Sequence, residues 1–251
     1  MSGTHSVLAH VQEADNAPVS TTFLNDVLRG LSQPQKSLSS KYFYDEAGDH
    51  LFQRIMRCDD YYLTRCEMEV FREKANELVS ELNIDGAEFD LVELGAGDGI
   101  KTRHLLRYLS EANADFRYLP VDISGHILDV LCAGIHQNIS GIDIHPFEGD
   151  YFSALGEIDR FSQRRRVVLF LGSNIGNMPI EDCHTFCLRL GEHMHPGDLL
   201  ITGFDLKKDP RTILKAYDDS DGLTREFNLN LLRRINGELG ADFRLENFEY
   251  F

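Results

Sequence analysis

The stretch LVELGAGDGIKTRHLL, residues 91–106, joins an apolar run to a glycine-rich loop and then to apolar residues at helical spacing. A buried strand that enters a helix through such a loop is typical of α/β proteins that bind nucleotides or nucleosides. A dinucleotide loop of the form G-x-G-x-x-G requires a third glycine at position 100, where this chain has Ile100. The spacing therefore favours a cofactor without the pyrophosphate of NAD.

The surrounding sequence alternates apolar runs with amphipathic segments. Strands are predicted at residues 89–94, 116–123, 141–150, 165–172 and 198–205, and helices at 101–112, 125–137 and 180–194. Short strands separated by helices of this length indicate right-handed crossovers and a parallel, doubly wound sheet. We predict a Rossmann-like α/β core over residues 81–205.

Helical patterns flank this core on both sides. Residues 19–80 and 206–251 are predicted to form a mainly helical lid that binds the substrate, and residues 1–18 a flexible arm. In the second flank, two helices are expected on either side of Gly222, the first starting at Asp209–Pro210 and the second ending at Gly240. Residues 241–251 alternate like a strand and then stop without a polar tail, so we expect the natural chain to continue.

Composition excludes several classes of function. The net charge of −16 argues against nucleic acid as the main partner, since phosphate binding needs clustered Lys and Arg. No apolar run is long enough to span a membrane, and the N-terminus lacks the pattern of a signal peptide. The five cysteines form no CxxC pair, which favours a reduced, cytoplasmic protein. We expect a monomer that binds a small molecule.

One cysteine cluster resembles a metal site. Cys183, His184 and Cys187 lie within one predicted helix, with the two thiols four residues apart on the same face. No second pair follows at ligand spacing, and small thiols are common on the buried face of a helix. We therefore expect no metal.

Acidic side chains are predicted at the ends of three consecutive strands, where open α/β sheets bind their ligands. They are Glu93, Asp122 and Asp150. A carboxylate at Asp122 can accept hydrogen bonds from both ribose hydroxyls, and Asp150 lies at the tip expected to face an adenine amino group. Each acid alone is commonly a loop residue or a helix cap, but three in register favour S-adenosylmethionine over a dinucleotide.

The loop itself supplies the remaining predicted contacts to that cofactor. Gly95 and Gly97 leave room for the methionine end above the first strand. Glu93 and Lys101 suit its ammonium and carboxylate, and Tyr151 or Phe152 is expected against the adenine ring. The residues thus predict a class I methyltransferase core.

Four segments resemble one known family, the histidine N-alpha-methyltransferases of ergothioneine biosynthesis. They are residues 36–67, 91–106, 169–177 and 203–243. The resemblance implies trimethylation of the α-amine of L-histidine to hercynine in three steps that depend on S-adenosylmethionine. It implies a cofactor site of Tyr61, Gly95, Lys101, Asp122, Asp150 and Tyr151. It also implies a substrate site of Tyr44, Asn177 and Tyr217, in which Asn177 and Tyr217 hold the carboxylate and Tyr44 lies near the amine.

The resemblance has one departure. The family reads the imidazole ring with a glutamate and a serine from a segment beyond residue 251, and it has further strands there. We therefore expect weaker discrimination for histidine by these residues. Two alternatives stay open, which are methylation of another small amine or amino acid and a cofactor-binding module without activity.

Overall fold

A computed structural model describes residues 21–82 and 86–250; the predicted arm of residues 1–18 lies outside the described part of the chain. The chain divides into two compact units. The larger unit comprises Tyr44–Thr224, and the smaller unit contains the described residues up to Phe43 together with those from Arg225 onward. The functional division predicted from the sequence, with boundaries at residues 80 and 205, remains a prediction.

The larger unit is built on a parallel sheet. Its strands are β1 (Phe89–Leu94), β2 (Phe116–Asp122), β3 (Asp143–Ile144), β4 (Phe147–Glu148), β5 (Arg165–Phe170) and β6 (Leu199–Thr202). Its helices are α2 (Glu46–Arg57), α3 (Tyr62–Glu73), α4 (Ala75–Glu81), α5 (Arg103–Glu111), α6 (Gly125–Asn138), α7 (Tyr151–Phe161), α8 (Ile180–Glu192) and α9 (Pro210–Tyr217). The strands run in the order β3-β2-β1-β5-β6, with β4 also pairing with β2, and every pair is parallel.

The third strand differs from the sequence prediction. Residues 141–150 form two short strands, which pair with successive parts of β2. His145 and Pro146 separate them, and Pro146 has no N–H to continue the ladder.

Alternate residues of the central strands face two separate hydrophobic layers, as the two-residue period of a strand requires. Phe89 and Leu91 of β1 pack in a cluster with apolar residues of α5 and α6. Val92 and Leu94 pack in a second cluster with residues of α7 and α8. All of β1 is buried, so the strand that leads into the glycine loop is the most enclosed part of the sheet. The predicted doubly wound α/β fold is confirmed.

The strand order changes direction at β1. From β1 the chain proceeds to β2 and β3 on one side, and then crosses to β5 and β6 on the other. In doubly wound sheets, ligands bind in the crevice at the carboxyl ends of the strands where this reversal occurs. The loops after β1 and β5 therefore border the expected site.

The smaller unit contains helix α1 (Thr21–Ser32) and most of helix α10 (Leu223–Leu239). Phe23 and Val27 of α1 pack against Leu231 and Ile235 of α10. The two helices predicted in the second flank are confirmed as α9 and α10. Gly222, with a φ of 68°, lies between them. In the described part of the chain, no helix combines the length and apolarity needed to cross a membrane.

The predicted terminal strand is wrong for residues 241–250, where a short 3-10 turn (Leu245–Asn247) occurs instead. The side chain of Asn236 explains the difference, because it bonds both the N–H and the carbonyl of Phe243 at 2.8 Å. Those backbone groups are then unavailable for a strand ladder. Phe243 packs on the cluster of the smaller unit and lies edge-to-face with Phe248.

Candidate active site

The glycine loop after β1 closes over the end of β2. The N–H of Gly95 donates to the carbonyl of Val121 at 2.8 Å. Gly95 and Gly97 have φ values of 74° and 57°, a left-handed conformation that side chains disfavour. A Cβ on Gly95 would lie 3.1 Å from the hydroxyl of Tyr151 and 3.2 Å from the amide nitrogen of Asn174. Gly95 and Gly97 thus leave a cradle of bare backbone, and a side chain on Gly95 would fill part of it.

Asp122 lies at the carboxyl end of β2, beside this loop. Its Oδ2 accepts a 2.9 Å hydrogen bond from the N–H of Gly97, and its Oδ1 accepts one of 3.1 Å from the N–H of Ser124. Burial raises the pKa of the carboxyl, against the lowering effect of these bonds. A carboxylate has about four lone-pair positions, so Asp122 retains capacity to accept hydrogen bonds from two further hydroxyl groups.

Glu93 lies beneath the loop, with 1% of its surface exposed. The hydroxyl of Thr102 donates to Oε1 at 2.6 Å, and the hydroxyl of Tyr118 donates to Oε2. Burial raises the pKa of Glu93 to about 7, against the lowering effect of those two bonds. Its predicted contact with a cofactor ammonium remains a prediction, since the structure shows both oxygens engaged within the protein.

Lys101 forms an ion pair with Glu67 of α3. The other oxygen of Glu67 accepts a 2.7 Å hydrogen bond from the N–H of Gly172, just after β5. A Cβ on Gly203, just after β6, would stand 2.3 Å from that oxygen. Glu67 therefore links the glycine loop to the ends of two further strands. Sequence patterns do not reveal this role of Glu67, because an acid on an amphipathic helix is ordinarily a solvent-facing residue.

Asp150 caps helix α7. Its Oδ1 accepts hydrogen bonds from the N–H groups of Phe152 and Ser153 at 3.1 and 3.2 Å, and the hydroxyl of Ser153 donates to Oδ2 at 2.5 Å. The next residue, Tyr151, directs its hydroxyl to the glycine loop, and burial raises its pKa to about 12. Phe152 instead packs against Phe186, with a ring separation of 5.5 Å.

Four aromatic rings of the larger unit form a connected row. Tyr44 meets Phe52 at a ring distance of 5.7 Å, Phe52 meets Tyr61 at 6.4 Å, and Tyr61 meets Tyr217 at 6.0 Å. Burial raises the pKa of Tyr44 and of Tyr61 well above the usual range. Electrostatic interactions with Tyr151 and Asp122 raise the pKa of Tyr44 further. These tyrosines are therefore neutral hydrogen-bonding groups at physiological pH.

The turn after β5 carries two asparagines. It is a 3-10 helix, Asn174–Asn177, introduced by Ser173 in a left-handed conformation with φ of 54°. Asn174 directs its amide to Gly95, whereas the predicted substrate residue Asn177 is exposed at the end of the turn. Asn174 is not among the site residues predicted from the sequence, although it lies in residues 169–177, one of the segments that carry the resemblance.

The structure thus brings most of the predicted residues to one region of the larger unit. Tyr44, Tyr61 and Tyr217 share the aromatic row, and Tyr44 interacts electrostatically with Tyr151 and Asp122. The cradle at the loop and the carboxylate at the end of β2 fit the nucleoside and amino-acid parts of S-adenosylmethionine.

Comparison with known proteins agrees with this geometry. Residues 23–251 match the profile of a family described as histidine-specific methyltransferase, SAM-dependent. The chain belongs to this family.

Two bacterial relatives carry the name histidine N-alpha-methyltransferase. The relative from Mycolicibacterium smegmatis is 39% identical over 243 residues, which are 97% of this chain and 73% of the relative. The relative from Mycobacterium tuberculosis is 40% identical over 225 residues, which are 90% of this chain and 68% of the relative.

A fungal relative, ergothioneine biosynthesis protein 1 of Neurospora crassa, is 31% identical over 213 residues, which are 84% of this chain and 24% of that protein. Together with the family match, these relatives make the chain an S-adenosylmethionine-dependent methyltransferase.

Proposed function

We propose that this protein transfers methyl groups from S-adenosylmethionine to the α-amine of L-histidine, three times in succession, and so forms the betaine hercynine for ergothioneine biosynthesis. The observation that carries the proposal is the aromatic row, whose Tyr44 interacts electrostatically with Asp122, in a member of the histidine-specific family.

The residues assigned to the cofactor surround the loop. Asp122 is proposed to accept the two ribose hydroxyls, and the bare backbone at Gly95 and Gly97 to face the methionine end. Lys101 is proposed to hold the methionine carboxylate. Glu93 is proposed to stabilise the methionine ammonium electrostatically. When bound, S-adenosylmethionine supplies an electrophilic methyl group on a positively charged sulfur.

The remaining cofactor contacts come from the periphery of the same region. Asp150 is proposed to accept from the adenine amino group, with Tyr151 against the ring and Tyr61 at the methionine end. Asp150 already caps α7 through both oxygens, so an adenine contact would share an acceptor that the helix holds in place.

The substrate residues are proposed to fix the amino acid by its two polar ends. Tyr217 and Asn177 would hold the carboxylate, and Tyr44 would accept from or donate to the amine. Each transfer breaks a carbon–sulfur bond and forms a carbon–nitrogen bond, so the nitrogen must present its lone pair in line with the methyl group at about 3 Å. Orienting the amine is therefore the main task of these residues.

Proton removal requires little from the protein. One proton must leave the nitrogen before each transfer, and the third product has none left. Because burial keeps Tyr44 and Tyr61 protonated, we assign them to positioning and to holding water, and solvent takes the proton.

The cellular setting is also proposed. We propose a monomer in the reducing cytoplasm, which the five free cysteines support. Tyr44, Tyr61 and Tyr217 come from segments on either side of the core, which supports the proposal that the flanks of the chain form the substrate-binding lid.

The direct test is incubation of the protein with S-adenosylmethionine and L-histidine, followed by mass spectrometry of the amino acid. Mono-, di- and trimethylated histidine are expected in succession. The matched control is the Asp122→Ala variant. Turnover of another amino acid in place of histidine would keep the enzyme class and reject the acceptor.

A further inference from the structure

A cluster of potential metal ligands lies on the face formed by α2 and α6. Glu46 and His50 stand four residues apart on α2, and His126 lies in the first turn of α6. One ligand atom from each side chain lies within 4.8 Å of the other two. The rings of His50 and His126 are 5.6 Å apart at 71°, so neither is stacked in a way that would block its nitrogens.

A buried carboxylate orients one of these histidines. Oδ2 of Asp49 lies 3.4 Å from Nδ1 of His126, and Asp49 is 3% exposed. The hydroxyl of Ser124 donates to the same oxygen at 2.5 Å and fixes the carboxylate. Histidine ligands of metals usually donate their second ring N–H to a carboxylate in this way. In the tautomer in which Nδ1 donates to Asp49, Nε2 of His126 is the coordinating nitrogen.

We propose that Glu46, His50 and His126 bind a zinc ion on the surface of the larger unit. Two imidazoles and one carboxylate suit zinc, which bonds nitrogen at about 2.0–2.1 Å and carboxylate oxygen at about 2.0–2.2 Å. Calcium and magnesium prefer oxygen ligands alone. Because Glu46 and His50 are exposed, small rotations bring the ligand atoms to these distances, and water takes the fourth position.

The proposed ion would fasten α2 to the start of α6. Ser124, which caps α6 and bonds Asp49, follows Asp122 by two residues. Sequence alone does not indicate the site, since His126 is remote from Glu46 and His50 along the chain. The cysteine cluster of α8, in which Cys183 and Cys187 interact, is the competing place for zinc.

The test measures zinc binding directly. Protein dialysed against a chelator is titrated with Zn²⁺ by calorimetry, and Co²⁺ is added separately to record the visible absorption of a tetrahedral nitrogen–oxygen site. We expect one ion per chain. His50→Ala and His126→Ala should each weaken binding at least tenfold, with unchanged melting temperatures in chelator.

Two variants serve as controls. His136→Ala removes an exposed histidine from the same helix α6, and Cys183→Ala/Cys187→Ala removes the thiols of α8. Both should bind zinc like the unmodified protein. The proposal would be overturned if the unmodified protein does not bind zinc, or if the two histidine variants bind zinc as tightly as the unmodified protein. Loss of binding in the cysteine variant would also overturn it.

Discussion

The backbone N–H of Gly97 donates a 2.9 Å hydrogen bond to Oδ2 of Asp122 and thereby ties the glycine loop to the end of β2. The other oxygen of the same carboxylate accepts from the N–H of Ser124, at the N-terminus of α6. One side chain therefore sets the relative positions of the loop, the strand end and the next helix. A cofactor hydroxyl that binds Asp122 would meet an acceptor that is already oriented.

Replacing Asp122 with alanine should weaken cofactor binding. Loss of a charged acceptor costs about 2–3 kcal/mol, which corresponds to an increase of roughly 30- to 150-fold in the Kd. Calorimetric titration with S-adenosylhomocysteine measures this change. Cys183→Ala and Cys187→Ala, both on α8, should leave the affinity unchanged. An unaltered Kd in the Asp122→Ala variant would remove this residue from the cofactor site.

Gly95→Ala should damage both stability and cofactor binding. The left-handed backbone at this position costs a side chain about 1–2 kcal/mol, and the new Cβ would press on the hydroxyl of Tyr151 at 3.1 Å. Gly156→Ala is the matched control, because Gly156 lies within α7 with nothing within 4 Å of a new Cβ. That change should stabilise the protein by about 0.5–1 kcal/mol. Denaturant unfolding measures the free energy of unfolding of both variants. Equal changes in that free energy would contradict the assignment of the loop.

The sequence predicted the sheet and the loop well, because their patterns are local. β1 is continuous and mainly apolar, the glycines mark the turn, and the acidic residue Asp122 is itself the last residue of β2. The strand prediction for residues 241–250 was wrong because the competing partner, Asn236, acts through its side chain on the backbone of Phe243. No periodicity of residues records such a contact.

The site was predicted less completely for the same reason. Glu67 joins Lys101 only because α3 packs near the ends of β5 and β6, a relationship between distant parts of the sequence. Glu93 was correctly predicted at a strand end, but its burial against Tyr118 and Thr102 depends on which face of β1 it occupies. Asn174 was overlooked beside Asn177 because a turn gives no periodic signal.

The buried carboxyl of Glu93 should make stability depend on pH. Its pKa is about 7 in the folded protein and near the ordinary value of 4.5 in the unfolded chain. Between these values the folded protein holds more protons, so the free energy of unfolding falls as the pH rises. The loss attributable to this group is on the order of 3 kcal/mol. Glu93→Gln, which mimics the protonated acid, should flatten this part of the profile.

Urea unfolding checks this expectation at a series of pH values that starts at 4.5, the ordinary pKa of a glutamate carboxyl, and ends at about 8. Glu77→Gln, a change in α4 at an exposed acid, is the control and should follow the profile of the unmodified protein. Parallel profiles for the unmodified protein and Glu93→Gln would show that the carboxyl does not titrate in this range.

Tyr217→Phe should impair histidine binding while sparing the fold. The ring of Tyr217 packs edge-to-face on Tyr61 at 6.0 Å, and phenylalanine keeps that contact. Because the residue is 41% exposed, the change should alter the free energy of unfolding little. If the hydroxyl holds the substrate carboxylate in both the ground state and the transition state, its removal raises KM with little change in kcat.

A hydrogen bond to a charged group is worth about 1.5–3 kcal/mol, so KM for histidine should rise at least roughly tenfold. Tyr108→Phe in α5 removes a hydroxyl from a tyrosine outside the aromatic row and should leave both constants unchanged. Steady-state kinetics with histidine varied at saturating S-adenosylmethionine measures both. A fall in kcat with KM unchanged would instead place Tyr217 at the reacting nitrogen, and unchanged constants would remove it from the substrate site.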